Sequence, residues 1–331
     1  MSLKNFILKN IENHQNDIID FTVDHCKVSR QAVYKQLRVL IGDGLIYKKR
    51  RGQYFLSSDN KKSYEFRITE ELQEDLVWKN FLKVFFEGFS ENVYSICYYG
   101  FTEMLNNVID HSGGKTVQVS SWIDNNSIEI MIIDDGIGIF NKIMNAFKLD
   151  DIRESLFQLT KGKLTTDPEH HTGEGIFFTS RAFDKFSIWS GELFYYKNVV
   201  ADDWYLETRQ NKKAGTLVLM EIDINSKRNL NEVFSKFTSG ENFAFNKTHI
   251  VVDLAKHEDE EYISRSQAKR LLANLDKFEH VILDFKKVST VGQGFVDEVF
   301  RVYKNRNPHV TIEYKNTNAD VEFMIKRSVP Q

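Results

Sequence analysis

Cysteine and proline are scarce in this chain of 331 residues, which has two cysteines and three prolines. Cys26 and Cys97 fall in segments predicted to belong to different domains, so a disulfide framework is excluded and buried thiols in a reducing compartment are expected. No apolar run reaches the roughly 18 residues that cross a membrane, and the N-terminus lacks a signal-peptide pattern. We therefore expect a cytoplasmic protein without membrane contact.

Net charge is only −3, but it is unevenly distributed. Residues 1–62 contain twelve Lys/Arg and six Asp/Glu, a balance of +6 that leaves −9 for the rest of the chain. Such asymmetry indicates that one end meets nucleic acid. The length predicts two or three domains, and the 41% of hydrophobic residues can fill their cores.

The first sixty residues predict three helices followed by a hairpin. The third helix begins after Ser29, a good N-cap, and places Val33, Leu37, Leu40 and Ile41 on one apolar face. The opposite face carries side chains of the types that contact base edges and phosphates, namely Arg30, Gln31, Tyr34, Lys35 and Arg38.

The hairpin that follows has a basic tip, formed by Lys48, Lys49, Arg50 and Arg51. A tip of this kind can lie along a phosphate backbone. Residues 1–62 thus resemble a winged helix-turn-helix, and the resemblance implies binding to double-stranded DNA through the tip, the polar helix face and Ser29. Two alternatives stay open, because winged helices also dock proteins and a basic hairpin can simply be solvated.

Two helices follow, with a break predicted near Gly88–Ser90, and the second carries the stretch FTEMLNNVIDHS at 101–112. Glu103 and Asn107 are four residues apart, so they share a helix face. Neighbouring carboxylate and amide groups suit Mg²⁺, which takes a few hard oxygen ligands together with waters and phosphates.

Two strands are predicted next, KTVQVSSWI and SIEIMIIDD. The second leads into the stretch IIDDGIGI at 132–139, where the apolar strand runs into Asp134, Gly136 and Gly138. Glycines after a strand allow a tight turn and a close approach to a ligand. The spacing selects Asp134 rather than Asp135 as the functional carboxylate.

The third stretch, HTGEGIFF at 171–178, places Thr172, Gly173 and Gly175 before an apolar run predicted to be helical. Free backbone N–H groups at such a point can cradle phosphates.

These three stretches, in this order, resemble the GHKL superfamily of ATPases over residues 75–225. The resemblance implies an ATP-binding domain at 63–230 with ATP and Mg²⁺ as cofactors. It assigns Glu103 as the general base, Asn107 as the Mg²⁺ ligand, Asp134 as the acceptor from the adenine amine and Thr216 as an adenine-pocket contact. It also implies nucleotide contacts at Asp110, His111, Gly136, Gly138, Lys161, Thr172, Gly173 and Gly175.

Residues 140–172 correspond to the lid that closes over nucleotide in relatives. Lys161 lies there on a glycine-containing loop, and it either contacts the γ-phosphate or is solvated. His111 is either near the nucleotide or simply a helix end. His170 and His171 with Glu169 lack the spacing of a metal site, so metal binding there is not favoured.

The sequence also argues against histidine autokinase activity. It requires a phospho-acceptor histidine on a helical hairpin ahead of the ATP domain, and residues 63–100 contain no histidine.

From His249 onward, strands and helices alternate three times, which predicts a parallel or mixed sheet covered by helices. The run VILDFKKVSTVGQGFVDEVF resembles the central motif of STAS domains and looks closest to a STAS-like domain of unknown function, so a domain is expected at 231–331. In relatives a phosphorylatable serine opens the following helix, whereas this chain has Gly292-Gln293-Gly294 there. The nearest hydroxyls, Ser289 and Thr290, are predicted at the strand end.

Together these segments predict an α+β multidomain protein: a winged helix, then a GHKL α/β sandwich, then a small βαβαβα STAS-like domain. The expected function is an ATP-binding, ATP-hydrolysing, DNA-binding regulator. The alternatives are an anti-sigma-type serine/threonine kinase acting on a separate partner, and an ATP sensor without turnover. A protein partner of the STAS-like domain and a homodimer are further expectations.

Overall fold

A computed structural model describes residues 2–42, 45–50, 52–56, 61–124, 126–164, 172–240, 244–255 and 262–328. It is a mixed α/β structure with two compact units. One unit comprises residues 1–139 and 179–230, and the other comprises 140–178 and 231–331. This division differs from the boundaries expected from the sequence, because residues 140–178 group with the C-terminal segment.

The chain begins with the expected three helices and hairpin. In order they are α1 Leu3–Asn10, α2 Ile18–Cys26, α3 Arg30–Gly42, β1 Ile46–Arg50 and β2 Gln53–Leu56, with β1 and β2 antiparallel. Ser29 accepts a hydrogen bond from the N–H of Ala32 at 3.2 Å, as an N-cap does. Leu37 and Leu40 are buried, but the prediction for Ile41 was wrong, since it is 39% exposed.

Helix α1 is fixed to the rest of the first unit by three side chains. The Ser2 hydroxyl donates to the carbonyl of Gly88 at 2.8 Å, and the Asn5 amide donates to the carbonyl of Ile224 at 3.1 Å. Lys4, only 4% exposed, donates to the carbonyl of Glu87. Polar groups buried in this way are retained only with partners, so α1 is a built-in part of this unit rather than a tethered module.

Two helical stretches follow, broken at Gly88 as the sequence predicts. The first comprises α4 Glu74–Val77, a π-helical turn Trp78–Leu82 and α5 Lys83–Phe86, and the second is α6 Glu91–His111. Gly88 has φ +87°, a conformation that favours glycine and ends the first stretch.

Helix α6 packs on a five-stranded antiparallel sheet of order β3-β4-β5-β7-β6. Its strands are β3 Lys62–Arg67, β4 Thr116–Asp124, β5 Ser127–Asp134, β6 Lys185–Asn198 and β7 Asp203–Asp223. Alternate residues of β5, including Ile128, Ile130 and Ile132, are buried beneath the helix. Strands β4 and β5 were predicted; the edge strands β3 and β6 were not.

The other face of this sheet carries a row of charged side chains. Glu129 of β5 lies opposite Glu221 of β7, which pairs with Lys185 of β6 at 2.7 Å. Burial, followed by repulsion from Glu221 and Asp124, raises the pKa of Glu129 from 4.5 to about 7. The carboxyl group is therefore favoured in its neutral form in the folded protein.

This perturbation predicts a pH-dependent effect of Glu129→Gln. As pH rises from 4.5 to 7, the unfolded chain ionises Glu129 before the folded chain does, so wild-type stability falls across that window. At pH 8 the variant should be more stable by about 1 kcal/mol, a value discounted for the partial exposure of the site. Urea unfolding at pH 8 and pH 4.5 should show this gain shrinking toward the lower pH. The same substitution at exposed Glu65 on β3 should have no such dependence, and a gain at Glu129 that is equal at both pH values would contradict the prediction.

The second unit contains the remaining elements. Between the two segments of the first unit lie α7 Ile139–Phe147, α8 Ile152–Lys161 and the start of α9 Gly175–Ala182. The C-terminal part contains α10 Leu230–Ser235, β8 Thr238–Ser239, β9 Ala244–Phe245, β10 Lys247–Val251, α11 Arg265–Leu272, β11 His280–Asp284, α12 Gln293–Asp297, α13 Lys304–Arg306, β12 Thr311–Lys315 and α14 Ala319–Ser328. A π-helical segment joins α12 to α13.

Strands β10, β11 and β12 form a parallel sheet in that order, which confirms the predicted alternation. Its core includes Val281, Leu283 and Phe295, all fully buried.

No helix in the part of the chain that the structure describes is long and apolar enough to cross a membrane.

Candidate functional site

A buried carboxylate marks the candidate nucleotide site at the end of β5. Asp134 is 4% exposed and accepts a hydrogen bond from the N–H of Gly136 at 2.8 Å. The Asp134 carboxylate also accepts hydrogen bonds from the backbone N–H and the hydroxyl of Thr216 on β7. The Thr216 hydroxyl in turn accepts a hydrogen bond from the N–H of Ile139 at 3.0 Å. Burial, the largest cause, raises the pKa of Asp134 above its usual value. The structure thus brings together the two residues assigned to the adenine pocket.

Closely packed glycines surround this carboxylate. A Cβ on Gly136 would collide with the carbonyl oxygen of Ser112, and one on Gly215 would collide with that of Asp134. Gly114 packs against the backbone of Gly136, with only 2.9 Å between its would-be Cβ and the Gly136 nitrogen. Only glycine allows backbone segments to approach so closely. The predicted Gly136 therefore has a steric role, and Gly114 and Gly215 are additional positions of the same kind.

Gly215 and Thr216 lie inside β7, beside the irregular pairing at Gly191. Gly138, the other predicted glycine, is buried with φ +85°. Strand β7 is 21 residues long, and its charged first half obscured the strand pattern in the sequence.

The packing at Gly215 predicts a large effect of Gly215→Ala. Both Gly215 and Gly113 have a left-handed φ, +68° and +63°, but an added Cβ at Gly113 meets nothing within 4 Å. Alanine at Gly113 therefore measures the backbone strain alone, about 1 kcal/mol. Alanine at Gly215 should cost about 2 kcal/mol more through overpacking against Asp134. Denaturant unfolding measures the loss of stability in both variants. Equal losses would contradict the prediction, because they would mean that the close packing at Gly215 adds nothing to the cost of the alanine.

The predicted catalytic face lies on α6. Glu103 and Asn107 are both half-buried, and the Asn107 side-chain nitrogen donates to the backbone carbonyl of Glu103 at 2.8 Å. That bond turns the nitrogen toward the helix, so the amide oxygen is the atom that could ligate a cation. Asp110 is exposed and His111, the last residue of the helix, is half-buried.

The neighbouring Asp135 has a different role from Asp134. It is exposed, and one oxygen accepts from the N–H groups of Lys115 at 2.7 Å and Thr116 at 2.9 Å, while the other accepts from the Thr116 hydroxyl at 3.0 Å. These bonds lower the pKa of Asp135 below its usual value. Asp135 therefore holds the start of β4 in place.

The second unit contains the other predicted nucleotide contacts. The predicted loop position of Lys161 is corrected: it is the last residue of α8, is 1% exposed, and donates to the carbonyl of Ala273 at 2.8 Å and to Gln158 Oε1 at 3.2 Å. Burial lowers the pKa of Lys161 well below its usual value. Because its ammonium group is engaged by the C-terminus of α11, Lys161 is poorly placed to contact a phosphate.

The glycines predicted to bind phosphates have clear local structure. Gly173 has φ +71° and packs against the backbone of Leu164, and Gly175 is the first residue of α9, while Thr172 is exposed. His170 and His171 lie outside the described residues. Among those described, no cluster of three or more His, Cys, Asp or Glu side chains could hold a metal ion.

The candidate DNA-binding surface is exposed. The polar face of α3 and the hairpin strand present exposed side chains at Arg30, Gln31, Tyr34, Lys35, Arg38, Lys48, Lys49 and Arg50. Two of these already have partners, since Arg30 pairs with Asp20 and Arg50 donates to Gln53 at 2.6 Å. Arg51 lies outside the described residues.

In the C-terminal sheet, the turn that replaces the acceptor serine is tightly packed. Gly292 N–H donates to the carbonyl of Tyr262 at 2.7 Å, and a Cβ on Gly292 would lie 2.7 Å from the backbone of Ile263. Ser289 and Thr290 lie in the loop after β11, not at the strand end as predicted, because β11 ends at Asp284.

A polar cluster that was not predicted lies at the carboxyl edge of this sheet. Asp284 is 3% exposed and interacts with His249 at 2.9 Å, Lys315 at 3.3 Å and Asn316 at 2.9 Å. Burial acts to raise the pKa of Asp284, but hydrogen bonds from His249, Asn316 and the N–H of Lys286 outweigh it and hold this pKa well below its usual range. The charges of this cluster balance and its members hydrogen-bond to one another, so the cluster helps to hold the three strands together.

Comparison with known families matches the C-terminal part of the chain. The profile of the family described as STAS-like domain of unknown function (DUF4325) matches residues 267–322. No curated protein matches the chain. The matched segment runs from α11 to α14 and contains β11 and β12, so the C-terminal part of this chain is STAS-like.

Proposed function

We propose that this protein binds ATP through the first compact unit, hydrolyses it with Mg²⁺, and uses the nucleotide state to control binding of DNA by its N-terminal helices and hairpin. The observation that carries the proposal is the buried Asp134, held by Gly136 and Thr216. Adenine offers an exocyclic amine as donor, and a buried carboxylate is a suitable acceptor for it.

A carboxylate and an amide on α6 supply the chemistry in this proposal. Asn107 provides an oxygen ligand for Mg²⁺, and Glu103, one turn earlier, accepts the proton of the attacking water. The resemblance to GHKL ATPases supports these roles. The contributions of Gly173 and Gly175 to phosphate binding stay predictions from the sequence.

The anchoring of α1 supports control of DNA binding by nucleotide. Ser2, Lys4 and Asn5 tie α1 to the segments after α5 and after β7, so the N-terminal helices belong to the same compact unit as Asp134. A nucleotide can shift DNA affinity only if it binds one conformation better than another, and buried polar ties can transmit such a preference.

The test uses the full-length protein. Phosphate release from Mg·ATP is measured, and binding to a duplex DNA library is measured with ADP, with ATP and without nucleotide. We expect Mg²⁺-dependent release and a DNA affinity that differs between nucleotide states. Nucleotide binding without release would favour the ATP sensor, and transfer of γ-label to a protein partner would favour the kinase. DNA affinity that is unchanged by nucleotide would refute the control of DNA binding.

A further inference from the structure

Strand β3 forms one edge of the five-stranded sheet, and within the described ranges no strand pairs with its outer side. An open edge presents a row of unpaired N–H and C=O groups, which readily pair with a strand of another chain. Charged side chains can prevent such pairing, and β3 carries two that are exposed, Glu65 and Arg67. Whether these charges prevent pairing or select a partner depends on which residues they would face.

The hydrogen-bond directions along β3 show which residues face the open edge. The N–H of Ile68 donates to the carbonyl of Lys115 at 2.9 Å, and this bond continues the antiparallel pairing of β3 with β4. Because backbone groups of successive residues in a strand point alternately to either side, those of Phe66 also bond to β4. The N–H and C=O groups of Glu65 and Arg67 therefore point to the open edge.

Two copies of β3 can pair antiparallel through these outward groups in few registers. A two-fold axis at Glu65 or at Arg67 would place that residue opposite itself, and an axis at Tyr64 would place Arg67 opposite Lys61. An axis at Phe66 instead places Glu65 of each copy opposite Arg67 of the other. Opposite charges directly across an antiparallel pair are stabilising and like charges are destabilising. The sequence of β3 is thus complementary to itself in the register centred on Phe66.

The charges that this register would pair are not used elsewhere in the first unit. The side chains of Glu65 and Arg67 have no hydrogen-bond or ion-pair partner among the residues that the structure describes. They are two positions apart on the strand, so both lie on the same face of the sheet. Each pair of copies would therefore gain two ion pairs on one face.

The other face of β3 carries an aromatic cluster beside the same edge. The rings of Tyr64 and Phe66 lie 5.0 and 5.1 Å from that of Phe81 in the π-helical turn. Phe81 is 40% exposed, and Val84, three residues later in the same helical stretch, is 58% exposed. Large apolar side chains exposed together mark an interaction surface. In the register centred on Phe66, the Phe66 side chains of the two copies face each other and bring the clusters together across the axis.

We propose that this protein dimerises by antiparallel pairing of β3 with β3 of a second copy, about a two-fold axis at Phe66, so that the two sheets become one. A second copy is the partner because one strand supplies both members of each ion pair and both halves of the aromatic contact. The sequence predicted a homodimer without a surface, and β3 supplies that surface. The proposal is independent of the proposed function, because none of these residues belongs to the nucleotide or DNA sites.

Sedimentation equilibrium of the full-length protein tests the interface at about 1–200 µM, a range that suits a small interface. Wild type should form a dimer that dissociates on dilution. Glu65→Arg places arginine opposite arginine twice, and Arg67→Glu places glutamate opposite glutamate twice, so each should raise the Kd of the dimer at least about tenfold. Glu91→Arg makes the same charge change at an exposed position on α6 and should leave the Kd unchanged.

An equal mixture of Glu65→Arg and Arg67→Glu should restore the dimer, because every pair in the mixed dimer joins opposite charges. The double variant Glu65→Arg/Arg67→Glu exchanges the charges within one chain and should dimerise as wild type does, so it decides the question if a single variant does not fold. A wild type that stays monomeric throughout the range would overturn the proposal. So would a dimer that both single variants retain, or one that neither the mixture nor the double variant restores.

Discussion

Replacement of Glu103 by glutamine is expected to reduce the rate of ATP hydrolysis by at least about 100-fold while leaving ATP affinity within a few-fold of wild type. A positioned general base contributes typically 10²–10⁴-fold, and glutamine keeps the size of the side chain but cannot accept the proton. Because the adenine contacts proposed at Asp134 and Thr216 are untouched, nucleotide binding should survive. Phosphate release and equilibrium binding of ATP are measured on the same preparation.

The control is on the same helix. Glu91 lies in the first turn of α6 and is exposed, so Glu91→Gln removes the same charge without touching the proposed site. It should leave both turnover and binding unchanged. Turnover that persists in Glu103→Gln would contradict the assignment of the base, and equal loss of ATP binding would show that the substitution damages the site as a whole.

Asn107→Ala should distinguish the loss of the proposed Mg²⁺ ligand from the loss of the proposed general base. Alanine is the best helix former, so α6 should keep its structure while the amide oxygen is lost. The expected result is a higher Mg²⁺ requirement for turnover together with weaker nucleotide binding. A Mg²⁺ requirement equal to that of wild type would remove Asn107 from the proposed metal site.

The residues around Asp134 show how much of the candidate site can be predicted from the sequence alone. The spacing of Asp134, Gly136 and Gly138 after an apolar strand singled out Asp134, and in the structure this carboxylate is buried beside the tightly packed Gly136 and Gly215. Strands β4 and β5 were recognisable because their buried residues alternate. Contacts between segments that are distant in sequence, such as that between Gly215 and Asp134, leave no local pattern.

The C-terminal helices and strands were recognised because apolar strands and amphipathic helices alternate there, and a family profile matches residues 267–322. Lys161 shows the limit of this approach. Its neighbours Gly162 and Lys163 suggest a solvated loop, but the lysine stem is buried and its ammonium group binds the carbonyl of Ala273, more than a hundred positions later. Composition could not reveal such a partner.

Residues 62–67 were missed because β3 is a short edge strand whose residues alternate only between half-buried and exposed.

Removing two wing lysines should weaken DNA binding in a salt-dependent way. Lys48 and Lys49 are exposed on β1, and each phosphate contact that is lost should lower the slope of log K against log salt by about 0.9. Lys48→Ala/Lys49→Ala should therefore reduce the slope by about 1.8 if both contact phosphates. Arg50 is retained in this variant, because its bond to Gln53 helps to hold the hairpin.

The matched control removes the same charge elsewhere in the same unit. Lys79 and Lys83 are exposed on the helical stretch before α6, so Lys79→Ala/Lys83→Ala keeps the fold and the net charge equal to those of the wing variant. If the wing contacts phosphates, only the wing variant changes the salt slope, and it does so equally for all duplex sequences, because phosphate contacts carry no sequence information. Equal slopes in both variants would mean that net charge alone governs the association. DNA binding that relies on phosphate contacts is strongest at low salt. If neither the variants nor the wild type binds duplex DNA at low salt, protein docking is the remaining role of the N-terminal helices.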